Sequence, residues 1–371
     1  MFFKIENKER KNLERNGILY TKRGRIETPF FMPVGTFGSV KALTMKHLCD
    51  SGAQIILSNT YHLFLRPGIE VIKRFGSLHN FISWDKPILT DSGGFQIFSI
   101  KGNSKVSVEG VKFKSHIDGS GFFLTPESVV DIQNVFDSDM QMVLDNFASY
   151  PASKEEDKKA LKITHEWANR ARNRFLETNK NNFQFGIIQG GLFKDLREES
   201  IETLSNLNFD GYAIGGLSVG ETREEFKKMV SFVVPKMPFK KPRYLMGSGT
   251  PEEILFAVEN GIDMFDCVLP TRNARNGTLF TSRGKLVIKN ERFKLDKNPV
   301  DADCSCYTCK NFSRAYLRHL YITKEIASSI LNTIHNIQFY LDFMSKIRYA
   351  IKLNKFNKYK ENFLSLYKEG V

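Results

Sequence analysis

The sequence predicts an α/β fold: a closed (β/α)8 TIM barrel with an inserted antiparallel hairpin and a C-terminal zinc-binding subdomain. Three observations predict it. Eight apolar runs of strand length recur along the chain, a small or polar residue follows each, and helix-like segments lie between most of them. Buried parallel strands read as continuous apolar runs, and in a barrel their C-terminal ends converge on one face, where chemistry resides. A doubly wound open sheet shares the alternation and is the competing architecture.

Taken in order, residues 1–29 read as short strands capping the underside of the barrel. The eight runs are Phe30–Val34, Gln54–Leu57, Pro87–Thr90, Met140–Leu144, Phe185–Ile188, Gly211–Ile214, Arg243–Met246 and Ile262–Phe265. The residues that follow them are Gly35, Ser58, Asp91, Asp145, Gln189, Gly215, Gly247 and Asp266. Ser104–Leu124 alternates apolar and polar residues around Glu109-Gly110 and Asp118–Gly121, the pattern of a hairpin or small antiparallel sheet. Thr125 and Pro126 read as the N-cap and first residue of a helix. Glu155–Thr178, Lys194–Leu207, Glu221–Val234 and Pro251–Asn260 supply further helices. Thr278–Lys310 is strand-like and carries three cysteines, and Ala315–Glu369 keeps a helical pattern without Pro or Gly. These elements divide the chain into a barrel (1–277, continued by C-terminal helices), a zinc-binding subdomain (278–345) and a terminal helix (346–371).

Composition narrows the class. The chain has 371 residues, 41% of them hydrophobic, enough for a substantial core. The first residues lack the apolar stretch of a secretory signal, and no run of about 18 apolar residues suggests a membrane span. A cytoplasmic protein is expected. Lys plus Arg exceeds Asp plus Glu by 54 − 41 = 13, which suits a polyanionic partner such as nucleic acid. Biased codon usage and solvated lysines near the C-terminus (Lys352, Lys355, Lys358, Lys360) explain such an excess equally well.

The segment Gly261–Gly277 carries the sharpest chemical signal. A short apolar run delivers Asp266 to its end, and Arg272 and Arg275 follow on a loop bounded by Pro270 and Gly277. A carboxylate on a rigid strand end beside cations suits a nucleophile acting on a polyanion. The plainer alternative is an acidic strand terminus followed by a solvated basic turn.

Cys304, Cys306 and Cys309 crowd into six residues, a spacing that points to a metal rather than disulfides. His335 is the natural fourth ligand and His319 a nearer rival. Three sulfurs and one nitrogen without an open position indicate structural Zn2+. Cys49 and Cys267 read as packing residues.

With these pieces in place the chain resembles the bacterial tRNA-guanine transglycosylases, also called queuine tRNA-ribosyltransferases, across nearly its whole length. The resemblance rests on Ser58–Leu63 (SNTYHL) with Leu65–Gly68 (LRPG), Thr90–Gln96 (TDSGGFQ), Gly186–Gly191 (GIIQGG) and Gly211–Leu217 (GYAIGGL). It rests further on Arg243–Gly247 (RYLMG), the 261–277 segment, and Cys-x-Cys-x2-Cys with a distant His.

That resemblance implies exchange of guanine at wobble position 34 of tRNAs with GUN anticodons for 7-aminomethyl-7-deazaguanine (preQ1), in queuosine biosynthesis. It implies Asp266 as nucleophile, forming a covalent ribose intermediate, and Asp91 as proton donor and acceptor. The base is expected to meet Asp91-Ser92-Gly93-Gly94-Phe95, Asp145, Gln189, Gly215-Gly216-Leu217 and Met246, with Phe95 and Met246 sandwiching the purine. RNA contacts are expected at Gly247-Ser248-Gly249-Thr250-Pro251-Glu252-Glu253 and Thr271-Arg272-Asn273-Ala274-Arg275. One structural Zn2+ per subunit, a homodimer and no membrane partner complete the expectation.

The chain departs from the family pattern at three places. Asp145-Asn146-Phe147 stands where Asp-Glu-Cys is usual, Phe95 where Tyr is usual, and Asn273-Ala274 where Ser-Gly is usual. Rival expectations are a retaining glycosidase using Asp91 and Asp266, a non-catalytic RNA-binding subunit, and the archaeal-type enzyme with an extra C-terminal domain. The retained Asp266, the basic segment, Val219 and the chain's end at Val371 favour the bacterial form.

Overall fold

The computed structural model describes residues 2–8, 13–99, 104–178 and 181–369. Residues 1 and 9–12 of the expected capping strands and residues 370–371 of the expected terminal helix lie outside them. Three antiparallel strands open the chain, β1 (Phe3–Lys8), β2 (Arg15–Thr21) and β3 (Gly24–Thr28). The barrel begins with β4 (Phe30–Met32), β5 (Ile56–Asn59) and β6 (Ile88–Asp91). An inserted antiparallel sheet follows: β7 (Ser104–Val106), β8 (Val111–Lys114) and β9 (Gly121–Leu124). The barrel then resumes with β10 (Met140–Met142), β11 (Phe183–Ile188), β12 (Gly211–Ile214), β13 (Arg243–Leu245) and β14 (Met264–Asp266). A hairpin, β15 (Thr278–Thr281) and β16 (Gly284–Val287), leads away from it.

The eight barrel strands pair in the order β4-β14-β13-β12-β11-β10-β6-β5. The ring closes between β4 and β5 through a parallel bridge, Val34 to Leu57. Hydrogen bonds from Gly35 N to Leu57 O (2.6 Å) and Leu57 N to Pro33 O (3.0 Å) support that clasp. A closed ring rules out the open doubly wound sheet. Every expected strand is present within a few residues, and the 104–124 insertion is a three-stranded sheet.

The β1–β3 sheet meets the barrel where strands begin. Phe2 stacks on Phe183 at the start of β11. Fully buried Arg15 grips Asp263, just before β14, with Nε–Oδ1 at 3.0 Å. Asp263 also accepts from Arg243 N at 2.8 Å, so a buried charge pair is satisfied on both sides.

Three of the outer helices start where local chemistry caps them. Thr125, Thr222 and Thr250 each form a capping box, with Ser128, Glu225 and Glu253 respectively. The C-terminal pattern differs from one continuous helix: it folds as Arg314–Ile322, Ile326–Lys352 and Phe356–Glu369. The breaks need no glycine, because Lys324 (φ 60°) and Asn354 (φ 54°) take the left-handed conformation themselves. The middle helix runs unbroken through residue 345. The strand-like stretch also differs: the hairpin ends at Val287, and Cys306 caps a short helix, Tyr307–Asn311. Among the described residues no helix is long and apolar enough to cross a membrane.

Candidate active site

Strand ends gather around a cavity of about 890 Å³ at the C-terminal mouth of the barrel. Asp91, Asp145, Gln189, Gly215, Gly216 and Asp266, remote in sequence, all line it. So do Ser92, Gly93, Gly94, Phe95, Leu217 and Met246. The barrel's convergence of strand ends therefore brings together the whole expected base-binding set.

Asp266 ends β14 and is held through one oxygen. Its Oδ1 accepts from the Tyr244 hydroxyl (2.6 Å) and from Gly247 N (2.8 Å). Burial raises its pKa, and these two donors work against that rise by favouring the charged form. Burial and the neighbouring Asp266 push the Tyr244 phenol well above its ordinary value, so it stays a donor. Oδ2 takes neither bond and keeps its lone pairs for another partner.

Asp91 ends β6 beside Asn59 of β5, its register partner. Asn59 Nδ2 donates to Oδ2 (2.8 Å), while Thr60 N (3.3 Å) and Gly93 N (3.1 Å) donate to Oδ1. Burial pushes this carboxyl up to about 7, the Asn59 bond opposes the rise, and the charge of Asp266 adds to it. A carboxyl that titrates near neutrality can both give and take a proton. Gly93 (φ 80°) is required there: a Cβ would lie 2.4 Å from Tyr61 Cβ.

Deeper in the cavity, Gln189 Nε2 donates to Asp145 Oδ2 at 2.7 Å, and both residues are buried. Burial pushes Asp145 up to about 6, with Gln189 holding it down. The glycines opposite are there for Gln189. A Cβ on Gly215 would sit 2.4 Å from its Nε2, and one on Gly216 2.6 Å from its Oε1. Phe95 is 53% exposed and stacks on Phe147 at 5.7 Å and 11°. One ring face is covered by Phe147, which leaves the other for a flat ligand.

The expected RNA-contacting residues divide into exposed and structural ones. Gly247, Arg272 and Arg275 are exposed, and Arg272 also lines the cavity. Ser248, Gly249, Pro251, Thr271 and Ala274 are buried. Glu253 accepts from Thr250 N (3.1 Å) and Ser248 Oγ (3.2 Å), and its own N donates to Thr250 Oγ1 (3.3 Å), so three of these side chains shape the turn. Glu252 and Asn273 are half-buried. The arginines do not ride on a loop: they belong to a helix, Leu269–Arg275, with Pro270 in its first turn.

Sequence reasoning missed two partners. Tyr244 and Asn59 lie inside the quoted motifs but received no role. Asn59 and Asp91 each lie just past an apolar run, but only the register of β5 and β6 brings them together, since parallel neighbours at the same level place their side chains together.

Away from the cavity, one ligand atom from each of Cys304, Cys306, Cys309 and His335 lies within 4.8 Å of all the others. Zinc–sulfur bonds of about 2.3 Å in a tetrahedron give edges of roughly 3.8 Å, so the set fits one ion. His335 Nδ1 approaches Cys309 Sγ (3.2 Å) and Cys306 Sγ (3.7 Å), while Nε2 lies 2.7 Å from Phe280 O. That backbone partner fixes the ring for ligation. His319 stays outside the cluster and stacks on Tyr316 instead. Of the remaining cysteines, Cys267 packs beneath Gly249, but Cys49 is exposed and not a packing residue.

Two carboxyls facing one cavity at a barrel mouth, one of them pushed up toward neutrality, define a barrel enzyme equipped for proton and group transfer, with a separate metal-holding appendix. The family model described as queuine tRNA-ribosyltransferase matches residues 10–369. A queuine tRNA-ribosyltransferase of Thermodesulfovibrio yellowstonii is 55% identical over 364 residues, 98% of this chain and 94% of that protein. One of Desulforapulum autotrophicum is 53% identical, covering 97% and 98%. Another, of Caldanaerobacter subterraneus subsp. tengcongensis, is 51% identical, covering 98% and 97%. The chain belongs to the queuine tRNA-ribosyltransferase family, a family of pentosyltransferases.

Proposed function

We propose that this protein exchanges guanine 34 of tRNAs with GUN anticodons for preQ1 by double displacement on Asp266. The placement of Asp91 and Asp266 on one cavity carries this reading. The free oxygen of Asp266 attacks C1′ of the ribose as the bond from C1′ to the purine nitrogen breaks. The electron pair of that bond goes to guanine, and Asp91 supplies the proton that neutralises it. The incoming base loses its proton to Asp91 and displaces the carboxylate from C1′. Two inversions retain the anomeric configuration, as in retaining glycosidases.

The Asp145 carboxylate accepts from the base's ring N–H and exocyclic amine, a charge-assisted pair. Gln189 and Gly216 N donate to its carbonyl oxygen, and the Leu217 carbonyl accepts from the aminomethyl group. Phe95 and Met246 flank the ring, each stacked base contributing about 1–3 kcal/mol on an aromatic face. The target nucleotide leaves its stack to enter, at low cost in an anticodon loop. Arg272 and Arg275 bind the flanking nucleotides.

The four-ligand cluster holds structural zinc, which contributes no reacting group. The barrel (1–277), zinc-binding segment (278–345) and terminal helix (346–371) act together in a cytoplasmic homodimer.

The test is exchange of labelled guanine into tRNA with a GUN anticodon. Wild type should exchange, and Asp266→Asn should lose the activity by about a thousandfold or more. Equal exchange by both would remove Asp266 as nucleophile.

A further inference from the structure

The helix Ile326–Lys352 reaches both segments that flank the cavity. Fully buried Asn336 donates through Nδ2 to Pro270 O (3.0 Å) and Thr278 O (3.1 Å). Its Oδ1 accepts from Phe280 N at 3.0 Å. Pro270 and Thr278 bracket the arginines, so one amide clasps both ends of the segment that carries them. Asn332 adds a longer bond to Ala274 O (3.4 Å). One turn beyond Asn336, the buried Tyr340 hydroxyl donates to Gly249 O at 2.5 Å. Gly249 in turn packs against Cys267, next to Asp266. Between these contacts, His335 joins the cysteine cluster.

We infer that Asn336 and Tyr340 are positioning residues for RNA recognition. They set the 247–253 turn and the 269–275 helix at a fixed spacing along one helix, whose place the metal cluster secures. This rests on the reading that those two segments touch tRNA. Two features separate such a role from mere packing. Asn336 bonds three backbone groups at once, and removing its amide takes a partner from each. Tyr340 adds one bond, so its hydroxyl can be deleted while the ring keeps its contacts with Phe31 and Phe280.

The experiment compares wild type, Asn336→Ala, Tyr340→Phe and Arg272→Ala, plus the double variant Asn336→Ala with Arg272→Ala. It measures the Kd of an anticodon stem-loop RNA, the Kd of free guanine, and bound metal per chain. Tyr340→Phe should weaken RNA binding by about threefold to tenfold, and Asn336→Ala by more. Guanine affinity and metal content should remain at wild-type values. Arg272→Ala should matter less in the Asn336→Ala background than in wild type, because a misplaced arginine has less to lose.

Unchanged RNA affinity in Tyr340→Phe and Asn336→Ala, or strict additivity in the double variant, overturns the inference. Should Asn336→Ala fail to fold, Tyr340→Phe decides alone. If Arg272→Ala in wild type leaves RNA affinity unchanged, the underlying reading of the arginine helix falls, and this inference falls with it.

Discussion

The barrel mouth and the cysteine cluster are both polar centres in an apolar frame, yet they treat charge in opposite ways. At the mouth, burial leaves three carboxyls short of solvation: Asp91 rises to about 7, Asp145 to about 6, and Asp266 also rises. The cluster instead collects ligand atoms around one point where a cation satisfies all four. The first arrangement keeps groups ready to react; the second removes reactivity and fixes structure. Their construction differs as well. The mouth draws on β5, β6, β13 and β14 and on the turns after β10, β11 and β12, whereas the cluster uses one turn, the short helix Tyr307–Asn311 and the long helix Ile326–Lys352.

The strongest way to break this contrast is to damage the cluster. Cys306→Ser should release the metal and destabilise the fold by more than roughly 4 kcal/mol. Metal content and the thermal midpoint check it, and retained metal at wild-type stability would dissolve the distinction. At the mouth, deleting a hydrogen bond should cost activity rather than structure. Tyr244→Phe should slow exchange by roughly ten- to a hundredfold, the value of a bond to a charged group at about 1.5–3 kcal/mol. Without that donor the Asp266 carboxyl titrates higher, so the acid limb of the pH–rate profile should move to higher pH. An unmoved limb would mean the phenol does not tune Asp266.

The gentlest effect concerns stability. Asp91 has a raised pKa in the folded state, so the stability it contributes is full below its unfolded pKa of about 3.9. That contribution fades as pH rises through about 7. Asp91→Asn should therefore melt a few degrees above wild type at pH 8, with the gap closing toward pH 4. A pH-independent difference would show that burial imposes no charge penalty at the mouth.

The same contrast explains what was legible beforehand. The cluster could be read directly, because Cys304, Cys306 and Cys309 are neighbours and only the choice between His335 and His319 needed coordinates. The mouth could be read only through the barrel: buried strands leave long apolar runs, and the residues after them become neighbours once the ring is assumed. Hydrogen-bond partners stayed hidden, because Tyr244 and Asn59 acquire their roles from register. The helix under Arg272 and Arg275 was obscured by Pro270 and Gly277, punctuation that bounds a loop and a short helix equally well. The helix breaks at Lys324 and Asn354 left no mark, since neither residue is a usual breaker.

The clasp between β4 and β5 has a consequence for how the ring breathes. Elsewhere neighbouring strands share runs of paired residues, such as the four between β5 and β6. Here a single bridge and its two bonds complete the circle. Deuterium should enter the amides of Gly35 and Leu57 sooner than those along β11 and β12. Any transient opening of the ring would begin at that seam, one strand away from the carboxyl of Asp91.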